Sequence, residues 1–150
     1  PGSAFVAGLA TVDGELHGSA SHHAHRLFVE FAADGPERVL SRHRAERRRV
    51  PGFGHSIYRE TDPRFELLLD RVRRVPGADA RMDVVEGVLA IAGRYVAQAP
   101  NIDLALGALS YVSGLPDRCP LFAVASIAGW TSHYIEELEE RPLRYRGLSY

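Results

Sequence analysis

A single cysteine, Cys119, stands among the 150 residues, so no internal disulfide can form and a reducing, cytoplasmic setting is expected. No apolar run is long enough to span a bilayer, and no leader pattern opens the chain. Neither sign of charge dominates: 18 basic side chains face 19 acidic ones. That balance excludes a global pull towards nucleic acid or a membrane surface. Strand patterning is missing too. No stretch alternates apolar and polar residues, whereas apolar residues recur at spacings of three and four, so the expectation is an all-α fold with no sheet beyond isolated bridges. The length suffices for a compact domain with a sizeable core. An initiating methionine is also lacking and the chain starts inside an apolar segment, which reads as a piece of a longer protein.

The apolar spacing divides the chain. Residues 3–12 read as the end of a buried helix or a packed apolar stretch, closed by the turn Asp13-Gly14. A helix follows over about 21–33, striped by Leu27, Phe28 and Phe31. Asp34-Gly35-Pro36 stops it and opens a second, over 36–47. Residues 64–75 carry Phe65, Leu68, Leu69 and Val72 on one stripe. A longer helix over 80–98 has Val84, Val88, Ile91 and Tyr95 inward. Pro100-Asn101-Ile102-Asp103 opens another, with Asn101 or Asp103 available as cap. After the turn Gly114–Asp117, one long and mostly apolar helix runs from Pro120 to about Glu139. Trp130 there supplies a large buried area, and Glu136, Glu137, Glu139 and Glu140 form a solvated end. Such a helix needs a partner surface.

Three clusters invite a chemical reading. His17, His22, His23 and His25 fall within nine residues, but no Cys or Asp/Glu completes a metal-ligand set, and a polar helix face is the better reading for His22, His23 and His25. The run Arg42, Arg44, Arg47, Arg48 and Arg49 lacks interleaved aromatics, so it reads as a solvated helix end whose cations suit the helix dipole. The third cluster is the richest. In Val50-Pro51-Gly52-Phe53-Gly54-His55, proline and two glycines forbid a helix and let backbone approach a ligand. His55 is presented from that turn. Arg59 and Arg64 follow, and between them Thr61-Asp62-Pro63 starts a helix, with Thr61 or Asp62 as cap and Pro63 in the first turn. One imidazole and two guanidinium groups beside a helix N-terminus make an anion site with a polarising group.

This stretch resembles the signature of citrate synthases: Pro-Gly-Phe-Gly-His, a basic residue, then Asp-Pro-Arg. Leu16-His17-Gly18 resembles the turn that begins the family's small domain. Pro100-Asn101-Ile102-Asp103 and the tail Arg141-Pro142 with Tyr145 and Gly147 are similar to further family segments. The resemblance implies roles. His17 stabilises the enol of acetyl-CoA, His55 hydrogen-bonds the ketone oxygen of a 2-oxo acid, and Asp103 removes the methyl proton. Gly52, Phe53, Gly54 and Arg59 bind coenzyme A. Arg64 and, from a neighbouring subunit, Arg141 bind oxo-acid carboxylate. No metal is implied.

One position departs from the pattern. The family has an arginine where Ala125-Ser126-Ile127-Ala128-Gly129-Trp130 places Ser126. Serine supplies neither the charge nor the two-pronged donor geometry. The resemblance covers the family's C-terminal portion: 1–17 as the end of a large domain, 18–114 as the small domain, and 115–150 as the return to the large domain. The implied function is condensation of acetyl-CoA or another acyl-CoA with oxaloacetate or a related 2-oxo acid. A homodimer, or a complementary large-domain chain, would complete the site. The alternatives are a non-catalytic acyl-CoA-binding subunit or degenerate paralogue, and a lyase running in the cleavage direction.

Overall fold

The computed structural model describes residues 2–12 and 18–140. Among these residues the chain is all-α, with seven helices: α1 (Gly2–Val12), α2 (Ala20–Asp34), α3 (Pro36–Ala45), α4 (Pro63–Val72), α5 (Asp79–Ala92), α6 (Ile102–Val112) and α7 (Leu121–Glu137). One isolated antiparallel bridge joins Phe53 to Pro100. No helix among the described residues is long and apolar enough to cross a membrane.

The core is built around α6, which packs mainly on α2 and α4. Gly107 explains the close approach of α2. A Cβ placed there would lie 2.6 Å from the Ala24 Cβ and 2.8 Å from the His25 backbone nitrogen. Leu27, Phe28 and Phe31 of α2 and Phe65, Leu69 and Val72 of α4, all buried, join one core with Leu104, Ala105 and Ala108 of α6. Each such side chain contributes about 1.5–3 kcal/mol through burial.

Two helices end earlier than their spacing suggests. α4 stops at Val72 rather than 75, because Val75 precedes Pro76 and that position disfavours the helical conformation. α5 stops at Ala92, not 98, and turns through Gly93 and Tyr95. Its buried residues are Val85, Val88 and Ala92, while Val84, Ile91 and Tyr95 are half-buried. α1 is not a buried helix. It packs on α7, with Gly8 against the Trp130 ring, yet neither helix contains a buried residue and Trp130 is only half-covered.

The polar-face reading holds for the exposed His23 but not for His25, which is 7% exposed. The Ser110 hydroxyl donates to the Pro116 carbonyl at 3.3 Å, so it accepts from the His25 Nδ1–H at 2.8 Å. Burial pushes the His25 pKa below its ordinary value, with Arg81 and His22 acting in the same sense and Asp117 against it. The unfolded chain therefore binds a proton at a pH where the folded chain does not. Stability is expected to fall as pH drops below the unfolded value of about 6.5. A urea midpoint that declines between pH 7 and 5, with a shallower decline in His25→Gln, is the expected result; identical slopes would rule out this contribution.

Candidate active site

The loop between α3 and α4 is fixed by the lead-in to α6. Gly52 and Gly54 sit at φ 84° and 88°, where glycine is favoured. Gly52 lies directly on α6: a Cβ there would meet the Leu104 Cβ at 2.7 Å. The Asn101 N–H donates to the Gly52 carbonyl at 2.9 Å, and the Gly54 N–H donates to the Ala99 carbonyl at 2.8 Å. Asn101 also donates through Nδ2 to the Gly54 carbonyl at 2.6 Å, while its Oδ1 caps α6 by accepting from the N–H groups of Asp103 and Leu104. One buried asparagine thus ties the glycine loop to the helix turn that carries Asp103.

His55 has a defined tautomer. Its Nδ1 lies 3.1 Å from the Ile57 N–H and 3.2 Å from the Tyr58 N–H, and two donors there require an acceptor. In a neutral ring the proton is therefore on Nε2. Nε2 in turn lies 3.2 Å from Arg64 Nη2, and arginine has no acceptor. Two donors face each other and neither satisfies the other. An oxygen acceptor placed beside both would satisfy both. The Tyr58 ring supports the pair: His55 packs on it at 5.1 Å, and the Arg64 guanidinium lies 4.9 Å from its centroid.

Asp62, the N-cap of α4, holds Arg64 from behind. Its Oδ1 accepts from Arg64 Nε at 3.0 Å and from the Arg64 backbone N–H at 3.0 Å. Its Oδ2 accepts from Arg64 Nη2 at 2.9 Å and from the Ile102 N–H at 3.0 Å. The carboxylate is wholly buried. Burial alone would raise its pKa, but the hydrogen bonds from Arg64 and Ile102 and the Arg64 charge together hold it below the usual value. The Arg64 pKa is raised, first by the hydrogen bond to Asp62; the charge of Asp103 acts in the same direction.

His55 and Arg64 are thus brought together, and Asp103 stands half-buried in the first turn of α6, within electrostatic reach of Arg64. Arg59 is exposed farther along the loop and lines a cavity of about 580 Å³ with Phe53, Glu60 and Gln98. A second cavity, about 410 Å³, is lined by Arg49, Phe53, Gly54, His55 and Gln98. Phe53 lines both. Of the basic run, Arg49 reaches that second cavity and Arg42 pairs with Glu30 and Asp34. Ser126 lies on α7, its hydroxyl donating to the Phe122 carbonyl at 2.8 Å. His17 and Arg141 lie outside the described residues. Sequence reading missed Tyr58 and the second role of Asp62. The Asp-Pro-Arg spacing was the available signal for Asp62, because it puts the Arg64 N–H over the capping carboxylate.

Comparison with known proteins gives a consistent picture. The chain is 31% identical to the citrate synthase of Haloferax volcanii, over 97% of this chain and 41% of that protein. It therefore spans about two-fifths of that relative's length. Its fold is similar to that of citryl-CoA lyase from Hydrogenobacter thermophilus, with a TM-score of 0.73 and 25% identity, over 97% of this chain and 63% of that one. It is also similar to the citrate synthase of Thermoplasma acidophilum, solved with carboxymethyl coenzyme A and oxaloacetate, with a TM-score of 0.69 and 27% identity, over 99% of this chain and 43% of that one. The family model for the citrate synthase C-terminal domain matches residues 1–146, and the chain belongs to the citrate synthase family.

Proposed function

We propose that this chain supplies the small-domain side of an enzyme that condenses an acyl-CoA, acetyl-CoA in the first instance, with oxaloacetate or a related 2-oxo acid. The observation that carries this reading is the meeting of the His55 and Arg64 donors, which calls for an oxygen acceptor. A 2-oxo acid offers a ketone oxygen to His55 and an adjacent carboxylate to Arg64. Asp103 takes a proton from the thioester methyl group. His17 stabilises the enol oxygen, since removal of so weakly acidic a proton needs concurrent stabilisation of the charge that develops. The enol carbon then bonds to the ketone carbon, whose oxygen is polarised by His55. Water hydrolyses the resulting thioester to a citrate-type product and free coenzyme A.

Phe53 and Gly54 back the coenzyme, with Gly52 buried behind them against Leu104, and Arg59 meets its phosphates; the two cavities that share Phe53 support the placement of Phe53, Gly54 and Arg59. In this reading residues 18–114 form the small domain, flanked by large-domain segments 1–17 and 115–150. Arg141 completes a neighbouring site in a homodimer. Ser126 favours a second reading, a non-catalytic subunit that binds acyl-CoA. Oxaloacetate binding by the intact protein separates the two. Calorimetric titration is expected to detect binding in the wild type and a loss of about ten- to hundredfold in Arg64→Gln, from one charge-assisted contact of about 1.5–3 kcal/mol. Thioester binding without any oxo-acid binding would favour the second reading.

A further inference from the structure

We propose that Asp62 is a positioning residue that sets Arg64 and the Asp103-bearing turn of α6 in a common register. This assignment rests on the oxo-acid reading of the site. Cap chemistry alone does not account for Asp62. A serine would cap α4 equally well, because capping requires one acceptor for the Arg64 N–H. Asp62 instead accepts four hydrogen bonds, filling both carboxylate oxygens, and does so with its side chain wholly buried. Two of those bonds come from the Arg64 guanidinium. Nη2 carries two hydrogens: one goes to Asp62, and the other is available on the side where Nε2 of His55 lies 3.2 Å away.

The fourth bond crosses to a different helix. Ile102 is the first residue of α6 and stands 40 positions from Asp62, so no local turn brings them together. Asp103 is the next residue. A single buried carboxylate therefore serves the N-termini of α4 and α6 together, where negative charge is favoured. It connects the side chain assigned to the oxo-acid with the turn that carries the assigned base. Asparagine cannot replace it. Its amide NH₂ would face Ile102 N–H or the guanidinium, and both are donors.

The test compares wild type with Asp62→Asn in the intact protein. Solvent exchange of the Arg64 Nε–H is followed by ¹⁵N-resolved NMR, with the signal assigned by its loss in Arg64→Gln. Affinities for oxaloacetate and acetyl-CoA are measured in parallel. The expected result is exchange at least tenfold faster and oxaloacetate binding at least tenfold weaker, with acetyl-CoA binding changed less than threefold. Unaltered Arg64 exchange, or equal losses for both ligands, would overturn the positioning role. Fast exchange in the variant together with a wild type that binds no 2-oxo acid would overturn the functional reading, leaving the Asp62–Arg64 pair as structure alone. If Asp62→Asn does not fold, Asp62→Glu keeps the charge on a longer arm. Slow Arg64 exchange with oxaloacetate affinity within threefold of wild type is then expected, and an affinity as low as that of Arg64→Gln would contradict the proposal.

Discussion

Asp103→Ala is expected to abolish exchange of the acetyl-CoA methyl protons with solvent in the intact protein. General acid–base groups contribute about 10²- to 10⁴-fold, so the exchange rate should fall at least a hundredfold. The substitution leaves the cap of α6 in place, because that cap is Asn101 and not Asp103. The Asn101 side chain accepts from the N–H groups of Asp103 and Leu104, and both bonds survive the change. The loss of a carboxylate from the first turn costs the helix about 0.3–1 kcal/mol through the dipole alone. Oxaloacetate affinity should stay within about threefold, since His55 and Arg64 are held by Tyr58 and Asp62. The measurement is the decay of the methyl proton signal in deuterated solvent. Undiminished exchange in the variant would remove Asp103 from the role of base.

Ser126→Arg is expected to strengthen oxaloacetate binding, by up to about a hundredfold if the new guanidinium reaches the substrate. The Ser126 hydroxyl donates back to the Phe122 carbonyl within α7, so it is committed to its own helix. A shift in substrate preference should accompany the substitution. An oxo-acid with one carboxylate uses fewer cationic contacts, so its affinity should change less than that of oxaloacetate. Arg118 is the competing source of charge. It lines a cavity of about 700 Å³ with Arg26 and Asp117, beside residues of α1 and α7. If Arg118 fills the missing role, wild type binds oxaloacetate as tightly as Ser126→Arg in a titration, and altered specificity is ruled out.

Local chemistry was legible in the sequence where it decides structure locally. The helix starts lie where the cap candidates put them, with Asp62 rather than Thr61 and Asn101 rather than Asp103 as the caps, and the two glycines take the backbone conformations that favour glycine. Contacts between distant segments were not legible. His25 is buried because Gly107 brings α6 against α2, and a glycine 82 positions away does not announce that contact. The early end of α5 has the same kind of origin. Beyond Ala92 the chain must reach the glycine loop, where the Ala99 carbonyl accepts from the Gly54 N–H. Asp62 stood among the cap candidates because the start of its own helix was visible, whereas its bond to Ile102 depends on how α4 and α6 pack. The acceptor site at His55 needed coordinates as well: the motif names the imidazole, but only the Ile57 and Tyr58 N–H groups assign its proton to Nε2.

The most direct measurement is the ¹⁵N spectrum of the His55 imidazole at neutral pH, without and with oxaloacetate. In the free protein Nδ1 is expected to be unprotonated and Nε2 to carry the proton. Oxaloacetate should move the Nε2–H proton signal downfield as it gains an acceptor, and in Arg64→Gln the same shift should require at least tenfold more ligand. A proton on Nδ1 in the free protein, or an Nε2–H signal indifferent to saturating oxaloacetate, would contradict the assignment of His55 and Arg64 as one oxo-acid site.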